Sequence, residues 1–403
     1  MKNKYLPTSI SLYLNYLIVG MSIIILPQNM DALASQWHTT LAGVAIVISA
    51  VGLGRMFISL ISGVLSDRFG RQLMIRLGTI LTIIFFAGAL LSRSLYLAIG
   101  FAVLGGIGGA ALDSGTYPAL MEMFPQHQSI ANVVLKAFVA IGQFILPLLI
   151  SVMVLNRLWY GWSFVLALVI LALNIFCLFR FAKFPDDQPA TAKKAVTATT
   201  PMQHPGNLWI DGVLFAIFGY TADGIFLLVS IWITKYGQTV VQMNDTQARS
   251  LVSYYSAGSI ICVLVTIWLS HRGVQDIQFL MAYMLTSLVA LTILYLFPTP
   301  LISTIMAFVV GFSAAGGVMQ IALTIMASFF PNGKGTITGL VTTASSVASF
   351  TVNVFAGMMA NNIANIILFD VGLAAIGFVA TILITMRYHY IFGKPSQQLV
   401  AKP

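Results

Sequence analysis

The chain has 403 residues, of which 59% are hydrophobic and only 8% charged, and its formal net charge is +9. Globular domains carry about a quarter charged residues, so this composition excludes a water-soluble fold and requires lipid as solvent. The basic residues are scattered through short polar segments rather than massed together, which excludes a nucleic-acid-binding surface and fits the bias that orients membrane spans.

Apolar runs of about 20 residues recur along the chain, the length a helix needs to cross a bilayer. Helices satisfy their own backbone polar groups over such runs. A β-barrel would alternate polar and apolar residues, and runs such as Val169-Ile170-Leu171 do not alternate. Twelve spans are predicted. The first, 8–28, follows Lys2 and Lys4 and has no small-residue cleavage site before Pro27, so it reads as a retained helix. Span 2 covers 39–63 and contains Arg55. Between it and span 3 (73–92) lies Gly63-Val64-Leu65-Ser66-Asp67-Arg68-Phe69-Gly70-Arg71, a dense charged segment whose place is a membrane surface. Span 4 (95–121) contains Gly105-Gly106-Ile107-Gly108-Gly109 and then Asp113. Its glycines are not a phosphate-binding loop, because no Lys-Ser/Thr follows; they read as a close helix contact. Spans 5 and 6 cover 129–153 and 159–181.

Residues 182–207 carry Pro185-Asp186-Asp187, Lys193-Lys194 and a Thr/Ala/Pro run without apolar periodicity. They read as a hydrophilic linker. Six further spans follow, at 208–234, 248–270, 276–297, 300–327, 335–359 and 364–391. The expected organisation is an all-α integral membrane protein with a six-helix bundle at 1–181, a linker at 182–207, and a second six-helix bundle with a short tail at 208–403. With both termini in the cytoplasm, fourteen lysines and arginines fall inside and four outside: Arg93, Arg157, Lys235 and Arg249. The inverted topology would reverse that bias. The plasma membrane is the expected location.

The halves repeat each other. Leu65-Ser66-Asp67-Arg68 after span 2 is echoed by Leu269-Ser270-His271-Arg272 after span 8, and Phe124-Pro125 after span 4 by Phe330-Pro331 after span 10, at offsets of 204 and 206 residues. Duplication around a shared site is a common construction of secondary transporters.

The spacing G-x-L-x-D-R-x-G-R between spans 2 and 3, in a layout of six plus six spans, resembles the loop signature of the major facilitator superfamily. The resemblance covers essentially the full chain in topology. It implies two pseudo-symmetric bundles that rock about a central cavity, with Gly63, Asp67, Arg68, Gly70 and Arg71 forming a cytoplasmic latch that faces Lys334-Gly335-Thr336. On this reading Gly63 permits close helix approach and Gly70 a tight reversal. It also implies that spans 1, 4, 7 and 10 line the cavity, helped by 2, 5, 8 and 11.

Ionisable residues inside spans are costly and mark functional sites. Asp113 and Asp223 are the candidate proton-coupling residues. Arg55 and Asp113 each lie twelve residues before the same end of their spans, which puts them at one depth, with Lys136 about a turn away. Arg55 and Lys136 are candidate substrate-binding cations, released when Asp113 takes a proton. Asn15, Tyr117, Gln143, Tyr254, Tyr255, Gln320 and Asn353 are polar candidates on the expected lining spans. Asp211 and Asp370 lie near span ends, where solvation is expected to account for them.

The five histidines are dispersed and Cys177 and Cys262 sit in separate apolar spans, so neither a metal set nor a disulfide framework is expected, nor any other cofactor. The same dispersal opposes a membrane enzyme, and the linker and tail are too short for the signalling domain of a sensor. No ATP-binding segment is present, so a gradient must supply the energy. Drug–proton antiporters of the superfamily usually carry an arginine motif in span 4 and a Gly-Pro motif late in span 5. Here span 4 has no arginine, and Gly142 and Pro147 are spaced differently. The reading favours a monomeric, proton-linked transporter of a small polar solute such as a sugar or organic acid, with multidrug efflux as the alternative.

Overall fold

A computed structural model describes residues 5–124, 128–184, 204–315, 317–330 and 334–393. The described residues form helices joined by short turns: α1 (Leu6–Gln28), α2 (Met30–Gln36), α3 (Leu41–Phe69), α4 (Arg71–Leu91), α5 (Leu95–Met123), α6 (Gln128–Leu155), α7 (Trp162–Arg180), α8 (Val213–Thr239), α9 (Asp245–His271), α10 (Asp276–Leu296), α11 (Pro300–Val310), α12 (Val318–Phe329), α13 (Lys334–Met358) and α14 (Ile363–Phe392). Among the described residues, twelve stretches are long and apolar enough to cross a membrane. They are arranged as two six-helix bundles, the first built from α1 and α3–α7 and the second from α8–α14. The end at which α1 begins is called the near end, and the end at which it finishes the far end.

Two elements depart from the twelve expected spans. The seven-residue α2 is an extra turn at the far end, too short to cross. Its Gln36 amide donates to the carbonyls of Leu90 at 2.9 Å and Ser92 at 2.6 Å and accepts from Tyr160, so one side chain ties three segments of the first bundle together. Span 10, expected as one helix over 300–327, is broken in the middle. α11 gives way to a π-helical turn at Gly311–Ala315, and α12 restarts after Gly317, whose φ of 114° is left-handed. Such breaks occur in spans only where neighbouring helices or a cavity satisfy the freed backbone groups.

The duplication is visible in packing. In the first bundle a Cβ on Gly54 would strike the carbonyl oxygen of Val103, and one on Gly106 that of Val51; in the second, a Cβ on Gly258 would strike the carbonyl of Phe308, and one on Gly311 that of Tyr255. Each pair of helices, α3 with α5 and α9 with α11, therefore touches backbone to backbone through reciprocal glycines. Small residues at such crossings are what allows van der Waals packing to hold helices together in lipid. Corresponding positions are 204 or 205 residues apart, the offset found in the loops.

Candidate functional site

Arg55 on α3, Asp113 on α5 and Tyr16 on α1 meet in the first bundle. The Arg55 guanidinium lies 2.5 Å from one Asp113 oxygen, and the Tyr16 hydroxyl donates to the other at 2.6 Å. Both carboxylate oxygens are thus held. Arg55 lies fourteen residues into α3, about 21 Å along its axis, yet 36% of its side chain and 38% of that of Asp113 are accessible. Charged groups this deep and this accessible face an open pocket, not lipid. Gly109, one turn before Asp113, leaves room for the guanidinium: a Cβ there would sit 3.2 Å from Arg55 Nε. Tyr117, one turn after, stands edge-on to Tyr16 with ring centroids 5.8 Å apart. Lys136 on α6 is exposed and lies at electrostatic range of Tyr117 and Asp113.

The second bundle contributes Asp223 on α8, half-buried and within electrostatic reach of both Arg55 and Lys136. Two carboxyls and two cations therefore converge from opposite bundles on one pocket. Beside them the Tyr220 hydroxyl and Thr351 Oγ1 are 2.8 Å apart. Gln320, Thr324 and Ser328 make an exposed polar stripe along α12, whereas lipid-facing stripes are apolar. That stripe runs towards the near end, where α12 finishes.

At the far end the bundles are fastened. Asp31 pairs with Lys235, Gln28 Nε2 donates to Thr234 Oγ1 at 2.9 Å, and Arg249 donates to the Gln28 carbonyl while its Nε holds Asp245 at 2.9 Å. The Ser253 hydroxyl donates to the Phe144 carbonyl at 2.9 Å. Three residues from Arg55 towards this end, a Cβ on Gly52 would meet the backbone of Ser349 and Phe350. The hydrogen bonds between bundles, among the described residues, gather at this end.

A polar pocket at mid-span between two like bundles, fastened together at one end, agrees with what comparison shows. A family model described as Major Facilitator Superfamily matches residues 9–353. The chain belongs to that superfamily. It is 42% identical over 390 residues to "Inner membrane transport protein YdiM" of Escherichia coli (strain K12), covering 96% of each. Its fold matches a crystal structure of a D-xylose–proton symporter with a TM-score of 0.75 at 14% identity, covering 94% of this chain and 96% of that one. It also matches a crystal structure of the nucleoside transporter NupG with a TM-score of 0.72 at 10% identity, covering 95% and 100%. The chain is accordingly a multi-pass membrane transporter and not an enzyme.

Within this transporter the sequence-derived residues divide. Arg55, Asp113, Tyr117, Lys136 and Asp223 come together at the pocket. Gln143 lies two turns beyond Lys136 on the same stripe of α6, buried, with its Nε2 unpartnered. Gln320 is on the open polar stripe. Asn353 is buried on α13, its amide donating within its own helix to Ser349 at 2.8 Å and its oxygen unpartnered. Asn15 points away from the pocket: it donates to Thr79 Oγ1 at 3.0 Å and accepts from Asn174 at 2.7 Å, a packing contact among α1, α4 and α7. Tyr254 shares an exposed stripe with Ile261 and Trp268, spaced by seven residues, and so belongs to the outward apolar face of α9. Its neighbour Tyr255 is fully buried.

The residue missed in the sequence is Tyr16. One position beyond Asn15, it is turned by about 100° on the helix, and that turn separates packing from pocket. The expectation that solvation accounts for Asp211 and Asp370 fails, since both are fully buried.

In the loop motif, Gly70 takes φ 90°, the left-handed backbone that makes the reversal from α3 to α4. Arg71 donates to Ser66 Oγ at 2.9 Å and reaches Glu122 at 3.4 Å, while Arg68 lies over the Phe69 ring. Gly63 does not mediate close approach: nothing lies within 4 Å of a Cβ placed there. The Asp67 side chain and those of Lys334, Gly335 and Thr336 lie outside the described residues.

Proposed function

We propose that the chain is a proton-coupled secondary transporter of a small polar solute, of the sugar or organic-acid class, working by alternating access. The bundles 1–181 and 208–403 rock about the pocket, joined by a linker at 182–207, as a monomer with both termini cytoplasmic. On this orientation the near end is the cytoplasmic end, and the structure is the inward-open state. Asp67, Arg68, Gly70 and Arg71 form the cytoplasmic latch that engages the start of α13 when this end closes.

The observation that carries the reading is the Arg55–Asp113–Tyr16 cluster, open to water at mid-span, with Asp223 facing it from the other bundle. With Asp113 ionised, Arg55 is neutralised. When a proton binds Asp113 the attraction is lost, and Arg55 and Lys136 are free to receive an anionic or hydroxyl-rich solute. Asp223 offers the cations an alternative partner as the bundles close. Gln143 and Asn353, each with an unpartnered buried polar atom, supply hydrogen bonds to the solute on the far side of the pocket.

The test is uptake and counterflow in proteoliposomes over a panel of sugars, organic acids and cationic dyes under an imposed pH gradient. Asp113→Asn is expected to abolish pH-driven accumulation while leaving counterflow partly intact. Undiminished pH-driven accumulation would remove the proton role, and transport of the dyes alone would replace the polar-solute reading with drug efflux.

A further inference from the structure

The second bundle holds a carboxyl that the pocket does not use. Asp370 lies on α14, seven residues from its start at Ile363 and so about 10 Å along the helix. It is 0% exposed, and neither carboxyl oxygen has a hydrogen-bond partner. The same bundle shows how an ionised aspartate is accommodated. Asp211, equally buried, receives Arg387 Nε at 2.7 Å, Arg387 Nη2 at 3.0 Å and the Asn207 backbone N–H at 2.7 Å. Asp370 has no cation beside it among the described residues. A carboxylate stripped of water and left unpaired is penalised by several kcal/mol, whereas a carboxylic acid carries no such charge. Asp370 is therefore built to hold a proton.

Its surroundings show where that proton can go. Leu373 packs on Gly224, and Gly377 on Thr221 and Met284. This register sets the leucines at 227 and 228 of α8 and at 291 of α10 level with Asp370. Among the described residues, Tyr255 of α9 is a titratable group within electrostatic reach of both Asp370 and Asp223. Tyr255 is fully buried, and its hydroxyl donates to the Phe226 carbonyl at 3.2 Å. Phe226 lies next to the level of Asp370 and three residues from Asp223, so this bond seats the Tyr255 hydroxyl on α8 between the two levels.

We propose that Asp370 is a second proton-binding site, an uncharged carboxyl whose proton exchanges with the pocket through Tyr255 and Asp223. The transfer balances: the Asp370 proton passes to the Tyr255 oxygen as the phenolic proton passes to the Asp223 carboxylate. Tyr255 ends neutral, and the negative charge passes from Asp223 to Asp370 only until the reverse step restores the buried acid. The site concerns the protein without solute and stands apart from what is carried.

The experiment is infrared spectroscopy of the purified protein in phosphatidylethanolamine–phosphatidylglycerol vesicles, with no solute, on exchange from H2O into D2O. A carboxylic-acid carbonyl band is expected in the parent protein, absent in Asp370→Asn, that shifts as deuterium enters. In Tyr255→Phe the band is expected to remain and its shift to slow by about tenfold or more. If Asp370→Asn does not fold, Asp370→Glu serves, and the band should move in frequency without disappearing. A band that none of these substitutions changes overturns the site. A band lost in Asp370→Asn but exchanging at the parent rate in Tyr255→Phe overturns the route.

Discussion

Adjacent residues of one helix have opposite fates here. Tyr16 touches Asp113 and the pocket, whereas Asn15 is spent on Thr79 and Asn174. Hydrogen bonds between membrane helices average about 0.6 kcal/mol and reach about 1.7, so Asn15→Leu should lower stability by about 1–3 kcal/mol while sparing transport per folded molecule. Tyr16→Phe removes a donor from a carboxylate that is 38% accessible, so water takes its place and stability is spared while the fixed geometry of the carboxylate is lost. It should cut pH-driven accumulation by about tenfold with little change in melting temperature. Melting and proteoliposome uptake of the two variants, measured side by side, check this; the opposite pattern would mean that Tyr16 is packing and Asn15 is pocket. Residue identity and depth were legible in the chain, and they sufficed to bring Arg55 and Asp113 to one level. Which way a side chain faces was not, because in lipid both faces of a helix are apolar and the hydrophobic period that marks facing in soluble proteins is muted. Asp370 was misread for the same reason: distance from a span end says nothing about whether a residue faces water or the bundle interior.

Helix pairs carry the duplication more plainly than loops do. Gly54 with Val103 and Gly106 with Val51 recur as Gly258 with Phe308 and Gly311 with Tyr255. Arg55 follows Gly54 directly, and a Cβ on Gly106 would also come within 2.9 Å of the Arg55 backbone nitrogen, so this crossing positions the pocket cation. Gly106→Ala should force α3 from α5 and lower stability by about 1–3 kcal/mol, the usual cost of overpacking, with loss of transport. Gly311→Ala should do the same in the second bundle. Gly63→Ala, with open space around it, should leave the melting temperature unchanged. Thermal unfolding in detergent distinguishes these, and a destabilised Gly63→Ala would contradict the packing. The spans were legible from apolar length alone. The break within span 10 was not, because Gly311-Phe312-Ser313-Ala314-Ala315 is as apolar and small as a continuous helix would be, and the π turn begins at the tertiary contact of Gly311 with the backbone of α9, which the sequence does not display.

At the scale of the molecule, closure of the far end rests on a few groups whose pairing joins the bundles. Asp31 is 69% exposed but Lys235 only 8%. The attraction itself is worth about 0–1 kcal/mol for an exposed partner. Removing Asp31, however, leaves a nearly buried ammonium without its carboxylate, and that imbalance is relieved when the bundles part and water reaches Lys235. Asp31→Ala should therefore shift the population towards the state open at the far end, by about three- to tenfold for about 0.7–1.4 kcal/mol. Gln143 reports on that state, because it is only 2% exposed when the far end is closed. In a background with Cys177 and Cys262 replaced by serine, Gln143→Cys should react slowly with a membrane-impermeant thiol reagent added on the far side. Asp31→Ala should accelerate the reaction three- to tenfold, and exchanging the two charges, Asp31→Lys with Lys235→Asp, should bring it back towards the parent rate. Equal rates in all three proteins would mean that the ion pair rides on the closed state without holding it, leaving the glycine contact of α3 with α13 to do so.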